Sequence, residues 1–353
     1  MKKLVLLVAI FLAAVMVRAD EGMWLLKELN RESIARMKEL GFTFPVDQLY
    51  DEDKPSLKDA VVIFGGGCTG VAVSDQGLIF TNHHCGYGAI QKLSAVEHDY
   101  LKDGFVAKSQ GEELPADGLT VSFLKSMTDV TERLLSQVPS VLSEIQRERA
   151  IDSLSTVMME EYENDPFTSV RIIPFYSRNK YYLVQYDQFR DVRLVTTPPS
   201  SVGKFGGDTD NWMWPRHTGD FSVFRVYADK DNRPAAYSSE NVPYQPKYVV
   251  PVSLKGVTDG DYSMTVGYPG STQRYMSSWG IRQRMESENK PRIEVRGAKQ
   301  DIWWDAMTKN DTIRIKYANK YAGSSNYWKN SMGMNEALTN LAVIPEKEKL
   351  GVD

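Results

Sequence analysis

Residues 60–85 read AVVIFGGGCTGVAVSDQGLIFTNHHC. No other stretch limits the fold as tightly. Its apolar runs are only a few residues long. They are broken by the glycines at 65–67 and by the turn former Ser74-Asp75-Gln76-Gly77. Runs of that length between such breaks predict β-strands, and the second break predicts a hairpin. The glycine run does not make a phosphate loop, because no lysine or helix start follows it. The only two cysteines of the chain, Cys68 and Cys85, bracket the hairpin.

The same texture recurs downstream. GLTVSFLKSM, TSVRIIPFY, KYYLVQYDQF, DVRLVTTPP, FSVFRVYA, KYVVPVSL and YSMTVGYP predict strands as far as about residue 269. Two helical stretches interrupt it. Leu25, Leu26, Leu29, Ile34, Met37 and Leu40 keep helical spacing up to Gly41. The segment 129–162 does so through Leu134, Leu135, Val138, Leu142, Ile145, Ile151, Leu154 and Met158, with a break at Pro139. Asp129 with Glu132 has the pattern of a capping box. From Ser271 onward the chain is polar and helix-like, and no internal repeat is visible. The expectation is a β body with a helical excursion, followed by a helical region.

The first residues, MKKLVLLVAIFLAAVMVRAD, set two lysines before an apolar run. Val17 and Ala19 stand three and one positions before a cut at Asp20. This predicts a signal peptide over residues 1–19 and an exported protein. The run is short for a membrane anchor, so no membrane attachment is expected after cleavage. Removing residues 1–19 removes Lys2, Lys3, Arg18 and no acid, taking the formal charge from -4 to -7. Without a basic run, nucleic acid is not an expected partner. In an oxidising compartment the two cysteines are expected to pair, which would stabilise the fold by about 3 kcal/mol.

TNHHC then carries the chemistry. A histidine beside a cysteine bonded to a neighbouring strand is how a trypsin-like β-barrel fixes its catalytic base. On that pattern His84, next to Cys85, is the base, and His83 alternates to the other face of a strand. A base of this kind needs a carboxylate. Asp220, at the mouth of the strand in TGDFSVFRVY, is the best placed candidate, with Asp208 and Asp210 as competitors. A zinc site from His83, His84, Cys85 and His217 is not expected, since strand neighbours face opposite ways and a disulfide consumes Cys85. No metal or other cofactor is expected. His98 reads as a surface residue and the aromatics of DIWWDAM as core of the helical region.

DEGMW, TNHHCGYG, GKFGGDTDNWMWPRHTGDF, GYPGSTQRY and SSNYWKN resemble the S46 peptidase family, the bacterial dipeptidyl-peptidases related to types 7 and 11. The resemblance runs from residue 20 to the end. It implies a mainly β fold, a chymotrypsin-like double β-barrel with an inserted α-helical domain. The β-barrel part would fill residues 20–270 and the start of the helical cap 271–353. It implies a His-Asp-Ser triad in which His84 is the base and Asp220 the orienting acid. Asn211, Trp212 and Asn326 match residues that hold the free N-terminus of the substrate; a neutral amide oxygen can accept from an ammonium. The implied activity is serine-type release of dipeptides from oligopeptides, in the periplasm of a Gram-negative cell, by a homodimer.

The family nucleophile lies in a GNSGSP-like motif, and no G-x-S-G occurs in this chain. Ser271 reads as a loop residue, and Ser324 and Ser325 as loop or cap residues. Family members are about twice as long, so the chain is expected to be truncated within the helical domain, inactive alone, and without the residues that set P1 preference. The alternatives are a non-catalytic exported peptide-binding module and a trypsin-like endopeptidase.

Overall fold

The computed structural model describes residues 23–273 and 275–350. The expected signal peptide lies outside the described residues. The chain divides into two units, one holding the described residues up to Lys54 together with Val257–Ser263, the other Pro55–Gly256 and the residues from Met264.

In the first unit helix α1 spans Arg31–Glu39. The Asn30 side chain accepts from Ser33 N at 2.8 Å, satisfying one free donor of the first turn. Gly41 ends it at φ +101, a conformation that costs a glycine little. Of the earlier segment only the 3-10 turn Leu26–Glu28 is helical.

The second unit is built on one antiparallel sheet. Its strands are β1 (Val61–Phe64), β2 (Cys68–Ala72), β3 (Leu78–Thr81), β4 (Phe105–Val106), β5 (Leu114–Pro115), β6 (Val121–Asp129), β7 (Thr168–Phe175), β8 (Lys180–Phe189), β9 (Asp191–Thr197), β10 (Ser222–Ala228) and β11 (Val242–Pro243). The order is β4-β9-β10-β3-β2-β1-β6-β8-β7, with β5 on β9 and β11 on β10. The predicted hairpin is present: β2 and β3 pair through Gly70↔Thr81, Val71↔Phe80 and Ala72↔Ile79. Val62, Phe64, Ile79, Val121, Phe189, Leu194 and Phe224 fill the core on this sheet. The Phe64 and Phe224 rings lie 4.9 Å apart. The large antiparallel sheet is as expected, yet helices hold more of the described residues than strands do.

Helix α2 (His83–Leu93) follows β3, and α3 (Glu144–Glu160) packs Ile151 and Met158 against Val170 and Leu183 of β7 and β8. The capping box sits at Ser143 and Gln146, not at Asp129 and Glu132. Asp129 ends β6, and its carboxylate turns back to Thr131 N at 2.9 Å. Two predicted strands are absent: residues 247–254 and 262–269 have no ladder. Both neighbours of β2 are already taken by β1 and β3. The segments instead make bonds outside any ladder, among them Val250 N to Ala72 O at 2.9 Å and Tyr268 N to Thr69 Oγ1 at 2.8 Å, and Leu254 stays 96% exposed.

The helical region forms as expected, chiefly as α4 (Lys290–Lys309) and α5 (Asp311–Asn340). They run antiparallel, because Trp303 meets Tyr317 near the connection while Asn289, just before α4, bonds Asn335. The DIWWDAM aromatics bridge these helices rather than form a core, and Trp304 is 56% exposed. Ser324 and Ser325 are neither loop nor cap; both are buried in the middle of α5. Ser271 lies in an exposed loop and His98 on the surface. Helix α5 docks on α2, where Gln91 Nε2 donates to Ile315 O, and Arg314 pairs with the buried Asp99. Among the described residues no helix is long and apolar enough to cross a membrane.

Candidate active site

β3 ends at Thr81, and α2 begins two residues later. His83 and His84 therefore stand in the first turn of a helix, not at a strand end. Helical neighbours point about 100° apart, so the rings still diverge. His83 is fully buried, whereas the His84 side chain is 64% exposed.

The sheet register supplies the partner of His84. β10 pairs with β3 through Ser222↔Thr81 and Val223↔Phe80. The residues just before Ser222 must then lie beside the start of α2. Asp220 Oδ2 is 2.7 Å from His84 Nδ1, and its Oδ1 accepts from the His84 backbone N–H at 3.0 Å. Burial alone would raise the Asp220 pKa. The bonds from the His84 ring and backbone, with the charge on that ring, outweigh burial and hold it below the usual carboxylate value. Asp220 also receives one of the otherwise unsatisfied N–H groups of the first turn of α2.

The Cys68–Cys85 disulfide is present and ties the start of β2 to the first turn of α2, with Cα atoms 6.0 Å apart. Its sulfurs and a His84 ring nitrogen lie within 4.8 Å of one another. That trio has ligand-like spacing, but the disulfide has consumed both thiolates.

His83 occupies a different environment. Burial pushes its pKa down to about 4, against the attraction of Asp220 and with the repulsion of Lys204 and His84. Its ring meets Tyr87 edge-on at 5.4 Å, and neither ring nitrogen has a partner among the described residues. It also packs so closely on Gly203 that a Cβ there would lie 2.5 Å from the ring. Gly203 closes the one-turn helix Ser200–Gly203, which leads into the loop 204–219.

That loop carries the second cluster. Asn211 Nδ2 donates to Asn326 Oδ1 at 3.0 Å, and Trp212 Nε1 donates to the same oxygen at 3.0 Å. Both lone pairs of Asn326 Oδ1 are thereby used. Arg216 donates to Asn211 Oδ1 at 2.9 Å, leaving that oxygen one lone pair. Trp212 has φ +59, a left-handed conformation that costs a non-glycine residue roughly 1–2 kcal/mol. Burial, with the nearby charge of Asp208, pushes the Tyr321 hydroxyl of α5 up to about 12.

All five predicted site side chains thus fall into two groups, His84 with Asp220 and Asn211 with Trp212 and Asn326. The competitors Asp208 and Asp210 belong to the loop: Asp208 faces Tyr321, and Asp210 lies against Gly206. Sequence reasoning missed Arg216 and Asn82. Arg216 lies inside the DNWMWPRH motif. Asn82 is a capping residue type directly before the histidines, a signal for a helix start that the strand-like run ahead of it masks.

A solvent-exposed imidazole bonded to a carboxylate thus stands beside a disulfide at the rim of an antiparallel sheet. The chain belongs to the Peptidase S46 family, whose model matches residues 19–351. It is 59% identical over 330 residues to Dipeptidyl-peptidase 7 of Porphyromonas gingivalis, covering 94% of this chain and 46% of that protein. It is 45% identical over 332 residues to the Asp/Glu-specific dipeptidyl-peptidase of Flavobacterium psychrophilum, covering 94% and 47%. The crystal structure of Porphyromonas endodontalis DPP11 in complex with dipeptide Arg-Glu superposes with a TM-score of 0.88 at 46% identity, over 93% of this chain and 48% of that one. The chain spans about half the length of the curated relatives it matches.

Proposed function

We propose that this chain carries the general base and orienting acid of an exported serine-type dipeptidyl-peptidase, which releases dipeptides from the N-terminus of oligopeptides. The observation that carries the reading is the 2.7 Å contact between His84 Nδ1 and Asp220 Oδ2 in a member of a peptidase family. Asp220 accepts a hydrogen bond from Nδ1–H, which leaves Nε2 of the exposed ring as the basic nitrogen. The nucleophilic serine lies in the half of the relatives' length that this chain does not span. Its Oγ attacks the scissile carbonyl while His84 Nε2 takes its proton. The same proton then goes to the leaving amine, and water hydrolyses the acyl-enzyme. In this reading the sheet belongs to a chymotrypsin-like double β-barrel, and the region from 271 opens an inserted helical domain. Residues 1–19 direct export to the periplasm.

Asn211, Trp212 and Asn326 hold the substrate's ammonium. The remaining lone pair of Asn211 Oδ1 supports this role, and the names of the matched relatives supply the dipeptide length. The test is the family-length protein assayed on a dipeptidyl substrate and on its N-acetylated twin. Strong preference for the free amine, with release of dipeptides, is expected. Equal cleavage of both would favour an endopeptidase, and no cleavage would favour a peptide-binding module.

A further inference from the structure

We propose that Asn82 is a positioning residue of the His84–Asp220 pair, an inference that rests on the function proposed above. Asn82 occupies the N-cap position of α2, and asparagine is among the best residues there because its side chain can bond the helix's own N–H groups. Its side chain makes no such bond. The amide turns away and donates to Asp220 twice, to Oδ2 at 3.3 Å and to the backbone oxygen at 3.2 Å. The exchange is reciprocal: Asp220 Oδ1, not Asn82, takes the His84 backbone N–H.

Three further bonds hold the Asn82 backbone in place. Its carbonyl accepts from the buried Ser222 Oγ at 2.9 Å and from Cys85 N and Gly86 N, each at 3.2 Å. The amide is therefore a fixed donor. Asp220 Oδ2 receives Asn82 on one side and His84 Nδ1 on the other, so the carboxylate cannot rotate without breaking a bond to each. A carboxylate held in that plane selects the imidazole tautomer with the proton on Nδ1. Asn82 touches neither substrate nor the basic nitrogen; it acts through Asp220.

The experiment reads that tautomer by nitrogen NMR of the His84 ring in the 353-residue chain, at a pH where the ring is neutral. Wild type is expected to be mainly protonated on Nδ1. Asn82→Ala removes the donor, and the ratio of Nδ1–H to Nε2–H should fall about tenfold, the effect of one hydrogen bond to a charged group. Asn82→Asp separates this role from capping, because aspartate caps as well as asparagine but cannot donate. It should lose the Nδ1–H preference too. A wild-type ratio in Asn82→Ala overturns the proposal. So does a wild-type ratio in Asn82→Asp when Asn82→Ala has lost it, since that pattern belongs to a helix cap. In the family-length protein Asn82→Ala should lower kcat about tenfold with KM unchanged. The ring measurement needs no turnover. Absence of peptidase activity in wild type would defeat the proposed function alone and leave the tautomer ratio to decide the role of Asn82.

Discussion

The histidine–carboxylate pair and the amide cluster each join residues far apart in sequence, by 136 and 115 positions. They are held by different means. The pair sits at the end of a hydrogen-bonded ladder, where the β3–β10 register and the Cys68–Cys85 bridge leave its members little freedom. The amide cluster has no ladder. One half rides on the loop 204–219, with Trp212 in a left-handed conformation, and the other on an exposed turn of α5. It exists only when α5 is docked, through Arg314–Asp99 and Gln91–Ile315. In the proposed function the pair acts as base and orienting acid, and must keep its geometry whether or not substrate is present. The cluster, proposed to hold the substrate's ammonium, needs its geometry only when the ligand is seated, and building it across two elements suits that requirement.

The largest expected effect is on the pair. In the family-length protein His84→Ala and Asp220→Ala should each lower kcat by roughly 10⁴-fold or more while circular dichroism is unchanged. An active His84→Ala with an inactive but folded His83→Ala would transfer the role to the buried neighbour.

The disulfide ranks next. Removing it through Cys68→Ser with Cys85→Ser should cost about 3 kcal/mol, read from the urea midpoint of this chain. Hydrogen exchange should rise in the first turn of α2 and not in the α4–α5 hairpin. Uniform acceleration in both places would erase the distinction between the two regions.

The third effect concerns pH. His83 has a folded pKa of about 4 against an ordinary value of 6.5. The unfolded chain therefore binds this proton over that window and the folded chain does not. Stability should fall as pH drops from 6.5 towards 4, by at most about 1.4 kcal/mol per pH unit from this group. His83→Leu should flatten the dependence of the urea midpoint over that range. An unchanged slope would mean that other groups carry it.

The smallest effect is on the cluster. Asn326→Ala removes the oxygen shared by Asn211 and Trp212, and should lower kcat/KM on a free-amine substrate ten- to a hundredfold. Cleavage of the N-acetylated twin and the His84 ring tautomer should not change. A shift of that tautomer would show that the two regions are coupled.

Much of the fold is legible in the order of residues alone. The hairpin between the cysteines and the strands at 121–129, 168–175, 180–189, 191–197 and 222–228 follow from short apolar runs between turn formers. KYVVPVSL and YSMTVGYP have the same texture and are not strands, because composition reports a preference for extended backbone and not whether a sheet edge is free to pair. The helix start at His83 is hidden for a related reason. TNHHC continues a strand's sequence, and the carboxylate that takes the His84 N–H of the first turn comes from Asp220, far downstream.

What the sequence determined by itself was therefore local. It specified where the chain turns, which segments extend, that the cysteines are a pair, and that a histidine beside one of them has a carboxylate to find. The tertiary structure decided which residues meet: that Asp220 takes the His84 N–H that Asn82 could have capped, that Arg216 joins Asn211, and that Asn326 on a distant helix closes the cluster. The physical reason is that turns and strands are chosen by the energetics of a few neighbouring residues. A contact across more than a hundred residues is fixed only by the ladder register and the helix docking that the whole chain settles together.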